Sequence, residues 1–195
     1  RREEASERSD DGEEVNYESS AQPKEEAPKD ELEEFGYDLT KAAAEGKLDP
    51  VVGREQEISR VIEILGRRKK NNPMLIGEPG VGKSAIVEGI ALRIASGSIS
   101  PALANKRIIS LDIASVVAGT KYRGDFEKRL KTIISTVRSN PDIVLFIDEF
   151  HTIVGAGETT GGGLDAASIL RPALSRSEIH CIGCIGPDEY SKIIQ

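Results

Sequence analysis

Two clusters of residues in this chain have the types and spacing to do chemistry on a phosphate anhydride. Residues 77–84 read Gly-Glu-Pro-Gly-Val-Gly-Lys-Ser, which fits G-x-x-x-x-G-K-S/T at every fixed position. Gly77, Gly80 and Gly82 let the backbone turn tightly around Glu78, Pro79 and Val81, so that successive N–H groups converge on phosphate oxygens. Lys83 adds a positive charge for the β and γ phosphates. The Ser84 hydroxyl is a hard oxygen ligand suited to Mg2+, and a helix starting here would offer its positive end to the same anion. The second cluster ends an apolar run: Ile143, Val144, Leu145, Phe146 and Ile147 lead directly into Asp148 and Glu149. Asp148 is suited to hold Mg2+, directly or through water, and Glu149 to polarise a water attacking the γ phosphate. Together the clusters predict binding and hydrolysis of a nucleoside triphosphate.

Such a site needs a phosphate loop between a strand and a helix, and an acid pair at the tip of a neighbouring strand. Both contexts are legible. Residues 73–76 read as a short buried strand and 85–95 as the helix after the loop. Residues 143–147 form an apolar, mostly β-branched or aromatic run, the pattern of a parallel strand covered on both faces. Further strands are predicted over 107–111 and 179–184, and helices over 53–68, 125–138 and 165–174. The helix over 125–138 carries Phe126, Leu130, Ile133, Ile134 and Val137 at helical spacing. Residues 97–106 read as a turn-rich link, and 155–163 as a glycine-rich loop. Alternating strands and helices imply an α/β fold, a mostly parallel sheet between two helical layers.

Charge divides the chain. Residues 1–31 carry 12 acids and 5 bases, while residues 32–195 carry 21 of each, so the whole net charge of −7 sits in the first segment. That segment is rich in Glu, Ser, Asp, Lys and Pro and lacks a periodic apolar face; it reads as an acidic disordered linker preceding one nucleotide-binding domain over 32–195. A neutral folded part argues against nucleic acid or anionic lipid as a partner. The one basic run, Arg67 to Lys70, follows an amphipathic helix whose negative end favours cations. No apolar stretch approaches the ~20 residues of a membrane span, so a cytoplasmic setting is expected. Cys181 and Cys184 lie three apart in an expected strand and should point to opposite faces, which disfavours a shared metal or disulfide.

Several motifs in order resemble one family. Phe35 to Thr40, Gly46 to Arg54, Arg67 to Pro73, the phosphate loop, and Ala118 to Arg129 are similar to the first ATPase domain of the Clp unfoldases, of the AAA+ class, nearest to ClpA or ClpC. The resemblance covers about residues 32–195. It implies the AAA+ large-subdomain fold, with ATP and Mg2+ as ligands and Val51 and Val52 lining the adenine pocket. It further implies a homo-hexamer that threads unfolded or tagged protein substrates through a central pore, gripped by Lys121, Tyr122 and Arg123, and it admits a peptidase partner.

Two departures from that family's pattern accompany the resemblance. Where the family usually has a Thr-Thr pair after the fourth strand, this chain has Ile185 and Gly186, and glycine has no hydroxyl to help position a water near the γ phosphate. The arginine fingers, fifth strand and small helical domain of the family would fall beyond Gln195, which would leave the phosphate-loop strand at a sheet edge. Arg1 at the start and Met74 as the sole methionine also suggest a piece of something longer. An alternative reading is therefore a module that binds ATP with little turnover. A kinase or GTPase is disfavoured, because the chain has no Asn-Lys-x-Asp segment and its acid pair suits water as the nucleophile.

Overall fold

A computed structural model of the chain describes residues 30–118, 120–154 and 166–194. The expected glycine-rich loop at 155–163 and nearly all of the acidic segment lie outside the described residues. The order of elements is α1 (Glu31–Phe35), β1 (Gly36–Asp38), α2 (Leu39–Ala44), α3 (Glu55–Leu65), β2 (Met74–Ile76), α4 (Lys83–Ala95), β3 (Arg107–Leu111), α5 (Ile113–Val117), α6 (Arg123–Ser139), β4 (Ile143–Ile147), α7 (His151–Val154), α8 (Ala166–Ser175), β5 (His180–Ile185) and α9 (Pro187–Ile194).

The described strands form one sheet in the order β1-β3-β4-β5-β2. Strands β2, β3, β4 and β5 run parallel, with Val144 opposite His180 and Leu75 opposite Cys184, while β1 pairs antiparallel with β3. All five residues of β4 are buried. Alternation along the pleat divides them between two cores. Ile143, Leu145 and Ile147 pack with Phe126, Leu130 and Ile133 of α6 and Leu170 of α8. Val144 and Phe146 pack on the other face with Ile58 and Val61 of α3 and Val87 and Ile90 of α4. This is the expected three-layer α/β arrangement.

The same alternation settles the cysteines: Cys181 faces the first core and Cys184 the second. Both thiols are free and buried.

The long amphipathic helices are where the periodicity puts them, with shifted ends. Helix α3 stops at Leu65 rather than running to 68; Gly66 stands at its C-cap, with its N–H still bonded to the Ile62 carbonyl. Arg67 then pairs with Glu63 at 3.6 Å. The short elements α1, β1, α2 and α5 have too few residues to show a period. Helix α1 begins at Glu31, with the Asp30 carboxylate accepting from the Leu32 N–H, so the described elements begin slightly before the change in charge composition.

Strand β2 lies at an edge of the described sheet, as the family's strand order implies. Met74 is 37% exposed and Ile76 46%. The two positions should respond differently to truncation. Leu145→Ala in the central strand is expected to cost about 2–5 kcal/mol, and Ile76→Ala about 1 kcal/mol or less. Urea unfolding of the two variants beside wild type measures the difference, and equal losses would contradict this packing.

Candidate functional site

Parallel strands deliver their following loops to one edge of a sheet, and here β2, β4 and β5 deliver residues 77–82, 148–150 and 186 to the same place. The three segments enclose a cavity of about 500 Å³, lined among others by Pro79, Gly80, Gly82, Lys83, Ser84, Asp148, Glu149 and Gly186. Residues that are 64 positions apart thus meet: the Ser84 hydroxyl donates to Asp148 Oδ2 at 3.4 Å.

The loop is shaped by its glycines and its lysine. Gly80 and Gly82 have φ of 81° and 93°, a region costly for residues with a Cβ. Lys83 Nζ donates to the carbonyls of Gly77 at 2.6 Å and Glu78 at 2.9 Å, which draws the start of the loop toward the start of α4. The Gly77 N–H donates to the Ile185 carbonyl at 3.2 Å and so extends the β2–β5 pairing into the loop. Glu78 and Val81 close the turn, with the Val81 N–H donating to the Glu78 carbonyl at 3.3 Å.

The acid pair is held by the backbone. Glu149 is a non-glycine residue with φ of 49°, and its own N–H donates to Asp148 Oδ1 at 2.8 Å. The Thr152 N–H and hydroxyl both donate to the Glu149 carbonyl at 2.9 Å. The Phe150 N–H donates across to the Cys184 carbonyl at 2.8 Å, which fastens the turn to β5. A left-handed conformation at a glutamate is worth about 1–3 kcal/mol of strain and persists only where neighbours over-determine it. Here four hydrogen bonds do so, and the carboxylate is left exposed at the cavity.

The donor set suits a magnesium ion carried in on phosphates. Such an ion keeps waters and takes one or two protein oxygens, and Ser84 Oγ with Asp148 Oδ2 are two adjacent oxygens beside an anion-binding loop.

Val51 and Val52, expected at the adenine, do not line this cavity. Val51 is half-buried and packs against α3 and α4, and Val52 is 86% exposed. Lys121 and Tyr122, which precede the start of α6 at Arg123, do not line the cavity. They stand where the segment after β3 enters α6, with Tyr122 73% exposed. Arg129 of α6 braces the start of that segment by donating to the carbonyls of Val116 and Ala118 at 3.3 and 3.2 Å.

A family described as "ATPase family associated with various cellular activities (AAA)" matches residues 73–187, more than half of the chain. The chain belongs to the AAA family. Among its AAA relatives, the chaperone protein ClpC1, chloroplastic, of Arabidopsis thaliana is 59% identical over 164 residues, 84% of this chain and 18% of the relative. The chain therefore spans less than a fifth of that protein. Of solved structures, an Hsp104–ADP complex from S. cerevisiae is 47% identical with a TM-score of 0.74, covering 84% of this chain and 23% of that one. A closed state of Hsp104 with ATPγS and FITC casein gives 47% and 0.75, with 84% and 28% covered.

Three AAA-site neighbours escaped the sequence reading. The Arg54 guanidinium donates to the Val81 carbonyl of the phosphate loop, a contact over 27 residues that no local pattern announces. Glu189 folds back over Gly186 so closely that a Cβ there would lie 2.3 Å from Oε2. Glutamate at the third position of a helix that begins just after Gly186 is the one signal that could have placed it.

Cys184 is the third. Burial, and then the negative charge of Asp148, push its thiol up to about 12, and burial does the same for Cys181. At pH 8 both stay protonated in the folded chain, whereas unfolding returns them toward 9.0 and frees the thiolate. A maleimide or disulfide reagent at pH 8 should leave the native chain unlabelled over minutes and modify both cysteines once denaturant is added. Rapid labelling of native Cys184 would show that this wall of the cavity is open.

Proposed function

We propose that the chain is the ATP-binding and hydrolysing module of a hexameric Clp-type protein unfoldase. Residues 32–195 would form the nucleotide-binding domain and 1–31 a linker. The observation that carries this is the meeting of a phosphate loop with an acid pair across one cavity, Ser84 against Asp148 at 3.4 Å. In this reading Gly80 and Gly82 present N–H groups to the phosphates, Lys83 neutralises β and γ oxygens, and Val51 and Val52 hold the adenine.

Ser84 and Asp148 would hold Mg2+, which would supply neutralisation of the charge on the β and γ phosphates. Glu149 accepts a proton from the attacking water at its carboxylate as the new oxygen–phosphorus bond forms, while ADP keeps the electrons of the bond that breaks. The backbone bonds at Glu149 fix the direction from which that water is drawn.

ATPγS and casein in the Hsp104 structure support ATP as the ligand and a polypeptide as the substrate. Exposed Tyr122, between Lys121 and Arg123, fits a group that grips such a chain in the pore of a hexamer. A peptidase partner is compatible with the resemblance to ClpA and ClpC. The proposed setting is cytoplasmic, although ClpC1 is chloroplastic; among the described residues no helix is long and apolar enough to cross a membrane.

One observation favours a second reading, a module that binds ATP with little turnover. Gly186 places no hydroxyl at the cavity, and the Glu189 carboxylate fills the space where a side chain would begin.

Turnover by the parent protein separates the two. For an unfoldase, Lys83→Ala is expected to weaken MgATP binding by about 10- to 100-fold. Glu149→Gln should lower kcat by about 10²- to 10⁴-fold and leave MgATP affinity nearly unchanged. Calorimetry and steady-state phosphate release measure both. Tight binding with turnover already at the Glu149→Gln level in wild type would sink the hydrolytic reading in favour of the second.

A further inference from the structure

We infer that Arg54 is a positioning residue for the phosphate loop, setting the direction of the Gly82 amide that would meet the phosphates. The inference rests on the nucleotide-site reading above. Arg54 Nη2 donates to the Val81 carbonyl. In a trans peptide unit the carbonyl and the following N–H point in opposite directions. Holding the Val81 oxygen on one side of the loop therefore turns the Gly82 N–H to the other.

Which side is which follows from the cavity. Gly80, Gly82, Lys83 and Ser84 line it, while Arg54 and Val81 do not. The guanidinium thus lies behind the loop, and the Gly82 N–H faces the phosphate side. Without such an anchor a loop bounded by left-handed glycines has a low barrier to turning this peptide over.

The guanidinium is itself held in register. Arg54 immediately precedes α3, with Nη1 3.3 Å from Glu57 Oε1. One turn further on, Ile58 packs so closely on Gly89 of α4 that a Cβ there would lie 2.5 Å from Ile58 Cδ1. Because α4 starts at the loop, this contact fixes the height of Arg54 against it. At the loop, a Cβ on Gly82 would lie 3.2 Å from Arg54 Nη2, so the absence of a side chain at Gly82 admits the arginine as well as the φ of 93°. The result is a bracket from the start of α3 to the loop, on the side away from the cavity.

The test uses MgADP as probe on the full chain, by titration calorimetry and by the Gly82 amide proton shift in glycine-labelled protein. Arg54→Ala should weaken MgADP binding by about 10-fold or more. That loss should persist from about 50 to about 500 mM salt, because it arises from orientation and not from long-range charge. MgADP should move the Gly82 amide proton downfield in wild type and much less in the variant. Arg54→Lys, which keeps the cation but not the guanidinium reach, should also bind more weakly, and it gives the same reading if Arg54→Ala does not fold. Binding within about twofold of wild type in both variants, or a loss that vanishes at high salt, overturns the inference alone. A wild-type chain that binds neither MgADP nor MgATP overturns the nucleotide-site reading and the inference with it.

Discussion

A parallel strand cannot show one face to water and the other to a core in this topology, because its crossovers lay helices on both sides. The arrangement of the described elements follows from that constraint at β4, whose five residues are all buried and alternate between two cores. Two helical layers are then required, and the return path through each layer brings the following loops to one end of the sheet. The polar residues that cannot enter a doubly covered strand collect there. Asp148 and Glu149 stand at the first positions where the backbone leaves the apolar interior, and Ser84 is brought to them although it is 64 residues away.

Local chemistry refines what topology gathers. The phosphate loop is held open by positive φ at Gly80 and Gly82 and drawn together by the Lys83 ammonium on two carbonyls. The acid pair is held by the opposite device, an unfavourable φ at a residue with a side chain, offset by four hydrogen bonds around it. One half of the site uses conformational freedom and the other uses enforced strain. Such a division suits the proposed roles, a loop wrapping an anion beside a carboxylate that keeps its aim.

Most of this was legible in the sequence, for identifiable reasons. Long segments with a strong period, such as α6 with Phe126, Leu130 and Val137, declare their type and their buried face. The phosphate loop and acid pair declare themselves because each fixed residue answers a demand of anion or water chemistry. Strand β1 did not, since three residues ending in Asp38 carry no alternation; its antiparallel pairing with β3 is accompanied by an ion pair over 69 residues, the Arg107 guanidinium meeting Asp38 at 2.9 Å. Arg54 was hidden for another reason: its partner is a backbone carbonyl brought near by the fold, which leaves no mark in a string of side chains, while the placing of Glu189 over Gly186 depends on where α9 begins.

The Phe150 N–H to Cys184 carbonyl bond joins the turn after β4 to the last residues of β5. Glu149 lies one residue before that bond on one strand, and Gly186 two residues after it on the other. The two positions are therefore tied through a single main-chain bond. Helix α9 grows directly from Gly186, and its Tyr190 N–H holds the Gly186 carbonyl at 3.0 Å. The first turn of α9 and the turn that carries Glu149 thus share one backbone junction, and that wall of the cavity is main chain bonded to main chain.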